Sequence, residues 1–129
     1  MQKTRSNTEL EIINTINHLV KLCHEASLNA GWWHELDRFN PHVIPTKIAL
    51  THGELSEAME GYRKDLPDEH LPHRKSIEVE LADAIIRECD MAGWLGLDLG
   101  GAIIEKMEYN KTRLDHQTSA RSEKHGKRF

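Results

Sequence analysis

An all-α fold, a four-helix bundle, is what this sequence predicts, and three observations carry that expectation. Four segments repeat apolar residues at helical spacing. No segment alternates apolar and polar residues as a half-buried strand would. Glycine, proline and aspartate cluster between the periodic segments, where they punctuate helices.

Asn7 or Thr8 is placed to cap the first helix. Ile12, Ile16, Leu19 and Cys23 follow as its apolar stripe, with Ile13 and Val20 beside them, and the helix is expected to end near Gly31. Residues 31–45, with Trp32, Trp33, Pro41 and Pro45, read as an irregular connection, long enough to be functional. A second helix is expected from Pro45 or Thr46 to Arg63 or Lys64, because proline is tolerated at a helix start. Residues 65–72 form a turn-rich break.

The third helix is expected over residues 74–94, closed by Gly93 and Gly96. It is apolar on two flanks: Ile77, Leu81 and Ile85 on one, Val79, Ala82, Ile86 and Cys89 on the other. Such a helix is central and packed by more than one neighbour. In so small a chain this predicts a homo-oligomer. Asp98 caps a fourth helix over residues 99–114, with Ile103 and Met107 inward. From about residue 116 the chain becomes a polar, basic tail, expected to be extended. The whole, residues 1–129, reads as a single domain.

The net charge of −4 argues against a nucleic-acid binder. Charge is nonetheless uneven. Residues 52–90 hold 11 acidic and 5 basic side chains, and residues 106–129 hold 3 acidic and 7 basic. An acidic centre with a basic end suits a metal site that must also hold an anion, although a basic tail also serves simply as a solvated terminus. Cys23 and Cys89 lie in apolar helical patterns, far apart in sequence. They match neither zinc spacing nor a disulfide framework, and read as buried thiols. The opening residues lack a signal-peptide core, and no stretch reaches membrane-span length. A cytoplasmic protein without membrane partners is the expectation.

The chemistry concentrates in two acidic pairs, Glu54-x-x-Glu57 and Glu80-x-x-Asp83. Residues three apart share a helix face, so each pair aims two carboxylates in one direction. Two such helices side by side gather four carboxylates, which would repel and raise one another's pKa values. A hard divalent cation with oxygen ligands is the direct compensation. A solvated acidic face is the plain alternative. Against it, no lysine or arginine follows either pair within three residues, and Arg87 is the nearest cation on that face.

Other site chemistries fail on spacing. None of the nine histidines follows a glutamate by three, so the di-iron pattern is missing. The zinc-protease and phosphate-loop motifs are missing too. On the fourth helix, Asn110 interrupts the stripe Ile103, Met107, Leu114. A buried amide there needs partners, either backbone or the acidic site or a ligand. Lys106 and Arg113 flank it, and arginine suits bidentate phosphate binding. The basic tail, including Lys127, either folds over the same anion or stays free.

Gly-Glu-Leu-Ser-Glu at 53–57, Glu-Leu-Ala-Asp at 80–83 and Tyr-Asn-Lys-Thr-Arg at 109–113 together resemble the MazG-type nucleotide pyrophosphohydrolases of the all-α NTP pyrophosphatase superfamily. The resemblance spans residues 46–114. Gly53 departs from it, standing where the family pattern has a further glutamate. The basic tail resembles that of small, single-domain phage and bacterial members. The resemblance implies hydrolysis of a nucleoside triphosphate to the monophosphate and pyrophosphate. It also implies Mg²⁺ or Mn²⁺ held by Glu54, Glu57, Glu80 and Asp83, and assembly as a homodimer or dimer of dimers. Asn110, Arg113, Lys106, Lys111 and Lys127 become candidates for the phosphate chain. Asn17, His18, Trp32 and Trp33 become candidates for the base, since an aromatic face stacks on any base and an amide reads its edge. Core packing or a backbone-bonded amide is the plainer role for these last residues. Two readings outside catalysis compete: a helical interaction protein with decorative acids, and a metal-binding bundle.

Overall fold

The computed structural model of the protein describes residues 4–129. They form five α-helices: α1 (Asn7–Asn29), α2 (Val43–Arg63), α3 (Ser76–Leu95), α4 (Leu99–Thr112) and α5 (Thr118–Ser122). Single 3-10 turns occupy Glu35–Phe39 and Leu114–His116. Among the described residues there is no strand, and the fold is all-α as expected. None of these helices is long and apolar enough to cross a membrane. Two compact units are distinguished, residues 18–97 and residues 4–17 with 98–129, and α1 runs through both.

In the unit of residues 18–97, α2 and α3 form an antiparallel pair. Gly61, late in α2, meets Ser76 at the start of α3, and a side chain at Gly61 would overlap it. Glu54, two turns earlier, meets Arg87, three turns later. The intervening loop is tied by Asp68, whose buried carboxylate accepts the N–H groups of His70 and Leu71. This satisfies a turn that could not otherwise be buried. α3 ends as its sequence implies: Gly96 adopts a left-handed φ of 67°, and Leu97 N–H returns to Ala92 C=O. Gly93 has a different role from the expected stop. It lies inside α3, and its missing side chain makes room for His24 of α1.

The core of this unit is built from small residues: Ala58, Ala84, Cys89 and Ala92, with Val20 and Trp33. Within one chain the two apolar flanks of α3 are only partly covered: Cys89 is buried and Ile77 and Val79 are half-buried. α3 turns Glu80, Asp83 and Ala84 inward, because the close α2 contact falls on that side. Leu81, Ile85 and Ile86 are left 44%, 50% and 47% exposed. On α1 the buried stripe is Ile13 and Val20, while Ile12 and Leu19 are more than a third exposed. Cys23 and Cys89, 66 positions apart, meet through their thiols.

In the unit of residues 4–17 and 98–129, α1 opens on Ser6 rather than Asn7 or Thr8. Ser6 and Glu9 exchange side-chain and backbone hydrogen bonds at 2.7 and 3.2 Å, a capping box. Gly100 allows α4 to approach the backbone of Ile13. α4 stops at Thr112, two residues short of the expected Leu114, because Arg113 is extended. The inward stripe is shortened accordingly. Ile103 and Asn110 are half-buried, but Met107 and Leu114 are exposed. The tail is not wholly extended, since α5 forms in it and Lys127 returns to Asp115.

Candidate metal centre

The antiparallel register of α2 and α3 brings the two acidic pairs face to face. Carboxylate oxygens of Glu54, Glu57 and Glu80 all lie within 4.8 Å of one another. Asp83 is not part of that set but stands beside Glu54, and both line one open cavity of about 670 Å³. Glu54, Glu80 and Asp83 are half-buried and Glu57 is exposed.

The electrostatics follow from this crowding. The Glu80 carboxyl is pushed up to about 7, first by partial burial, then by the negative charge of Glu57, then by a hydrogen bond with Glu54 and the charges of Glu54 and Asp83. Asp83 is also raised, by partial burial and then by Glu54, with Arg87 pulling the other way. These are carboxylates short of positive charge. The donor set is all oxygen, drawn from two rigid helices, which fits Mg²⁺ or Mn²⁺ and disfavours softer metals. Position 53, glycine here, opens onto free space.

Three residues outside the expected site set border the same cavity. Arg87 donates from Nε to Glu54 Oε1 at 2.5 Å. Asp90, four positions from Ile86, is buried and accepts from Ser27 Oγ at 2.7 Å and Trp33 Nε1 at 2.8 Å, with His24 Nδ1 at 2.8 Å. Its charge is thus fully partnered and fixes the Trp33 ring. Lys47 Nζ lies 3.9 Å above that ring, which stacks on Trp94 at 4.3 Å, and Arg38 covers the far face. Each cation meets the negative face of an indole. A signal existed for Lys47: it shares a 4-3-4-3 spacing with Thr51, Glu54, Ala58 and Gly61, the inner stripe of α2. The partners of Asp90 come from residues 57 to 66 positions away, which no local pattern reveals.

The other expected site residues divide. Trp32 lines the cavity and is 71% exposed, whereas Trp33 is core. His18 is exposed on α1. Asn17 serves α4: Nδ2 donates to Asp98 Oδ1 at 2.7 Å and Oδ1 accepts Gly100 N–H at 2.9 Å. Arg113 clasps Asp115 through Nε and Nη2 at 2.9 and 2.6 Å, and Lys127 joins the same carboxylate at 2.7 Å. Both cations hold Asp115 well below the usual carboxylate range. Lys111 pairs with Glu108, and Lys106 lies over the Tyr109 ring. Asn110 Oδ1 is buried without a hydrogen-bond partner among the described residues. Burial raises both thiols, Cys89 to about 11, so neither is an activated nucleophile.

Comparison with protein-family models, with curated proteins and with solved structures finds no match to this chain.

Proposed function

We propose that the protein is a divalent-cation-dependent hydrolase that converts a nucleoside triphosphate, ribose or deoxyribose, to the monophosphate and pyrophosphate, in nucleotide pool control or house-cleaning. One observation carries the reading: carboxylates from two antiparallel helices converge within 4.8 Å beside a cavity large enough for a nucleotide. The pattern Glu54-x-x-Glu57, Glu80-x-x-Asp83, Asn110-x-x-Arg113 supports it through its likeness to MazG-type enzymes.

In this reading Glu54, Glu57, Glu80 and Asp83 supply the oxygen ligands. A bound Mg²⁺ or Mn²⁺ would supply charge neutralisation at the phosphates and acidify the attacking water. Trp32 offers an exposed ring face to the base. Lys106, Asn110, Lys111, Arg113 and Lys127 are assigned to the phosphate chain on the sequence pattern. Asn110 adds a buried oxygen that lacks a donor. Phosphate binding at Arg113 and Lys127 would replace their shared contact with Asp115. The helices are taken as a four-helix bundle that pairs with further copies of itself, covering Leu81, Ile85 and Ile86.

The test is incubation with each NTP and dNTP, with and without Mg²⁺, followed by product identification. Monophosphate and pyrophosphate are expected, only with metal. Orthophosphate release, or no turnover of any nucleotide, would overturn the assignment. Glu57→Gln should lose the metal-dependent turnover and keep its helical circular dichroism.

A further inference from the structure

Arg87 is the cation that the acidic cluster already holds. Among the described residues it forms the only ion pair made by any of the four acids, to Glu54, and its charge also opposes the ionisation penalty at Asp83. It stands one turn beyond Asp83 on α3, which is why it reaches across to α2. Only Nε is engaged, so the two terminal nitrogens meet no other acceptor among the described residues. Arg87 lines the same cavity as Lys47, Trp32, Glu54 and Asp83.

A single guanidinium offsets one charge in a cluster of four carboxyl groups. A divalent ion offers two charges and accepts several carboxylates at once, so it competes for Glu54 with an advantage. Released from Glu54, a planar five-donor fork at the cavity wall matches a phosphate edge in both geometry and charge. We infer that Arg87 is the resident counter-cation of the site: it holds Glu54 in the metal-free protein, yields that carboxylate to the divalent ion, and then binds a phosphate of the nucleotide in the adjoining cavity. This rests on the acidic cluster being the metal centre. Removing the guanidinium charge beside Glu54 favours metal binding in any case. A merely structural bridge would leave the affinity for the triphosphate analogue unchanged when Arg87 is replaced, whereas phosphate binding requires that affinity to fall.

The experiment is calorimetric titration of the full chain with MnCl₂ alone, then with a triphosphate analogue that cannot be cleaved between the α and β phosphorus, in saturating Mn²⁺. Wild type, Arg87→Gln and Arg87→Lys are compared. Arg87→Gln should bind Mn²⁺ several-fold more tightly and the analogue roughly tenfold or more weakly, the loss expected for one charge-assisted contact. Arg87→Lys keeps a cation near Glu54 but not the fork, so it should bind the analogue more weakly than wild type even if Arg87→Gln does not fold. Unchanged or weaker Mn²⁺ binding in folded Arg87→Gln overturns the inference, as does wild-type analogue affinity in either variant. If wild type itself takes up no Mn²⁺, the metal-centre reading fails and this inference falls with it. If wild type binds Mn²⁺ and the variants match it, only the role of Arg87 is wrong.

Discussion

Glu80 carries the clearest consequence of crowding at the scale of single residues. Its carboxyl titrates near 7 in the fold against an ordinary 4.5. Between those values the folded protein keeps a proton that the unfolded chain has released. The fold therefore loses stability as pH rises through that window, and the loss levels off above it. In metal-free protein the urea midpoint should fall from about pH 4.5 to about pH 7, and Glu80→Gln, which mimics the protonated form, should flatten the curve. An identical slope in both proteins would remove Glu80 from the cluster. The acids themselves were legible in sequence, because a three-residue spacing fixes a shared face. Arg87 was visible only as the nearest cation on that face. That its Nε meets Glu54 depends on the register of α2 against α3, which spacing within one helix does not contain.

Helix ends and faces are the matter at the next scale. The sequence located all four long helices, since apolar period and glycine or proline breaks are local signals. It missed the start of α2 by two or three residues, because Pro45 tolerates a place within the first turn, where its N–H would have no partner anyway. It did not show how much of each apolar flank of α3 a single chain covers. Period identifies a stripe, but the covered stripe is chosen by the neighbour, and here α2 covers the one bearing Glu80, Asp83 and Ala84. Asp98 caps α4 as its sequence position implies, but the contact that Asn17 makes with it is one no local pattern announces. Together they satisfy the first N–H groups of α4, and the hydrogen bond from Asn17, then that from Gly101 N–H, lower the Asp98 carboxyl. Asn17→Ala should cost about 1–2 kcal/mol in urea unfolding, the usual scale for a lost cap, and leave the Michaelis constant unchanged. A raised Michaelis constant with unchanged stability would return Asn17 to the base-reading role.

For the whole molecule, the informative fact is what stays uncovered. No large side chain is completely enclosed among the described residues, while Leu81, Ile85, Ile86, Met59 and Leu55 are 44% to 58% exposed. At about 25 cal/mol per Å² of apolar surface, such exposed side chains have much to gain from a second copy. Light scattering should give at least twice the mass of one chain, and Ile85→Glu should shift it toward the single chain. A wild-type mass of one chain would contradict the proposed self-association. The metal claim is tested most directly by the melting temperature of the wild-type protein at neutral pH, in chelator and in Mg²⁺. A ligand at a hundredfold excess over its dissociation constant adds about 2.7 kcal/mol, on the order of a 5–10 °C rise for a chain of this size. The account predicts that rise in wild type and its disappearance in Glu57→Gln. The same melting temperature with and without the ion would contradict it.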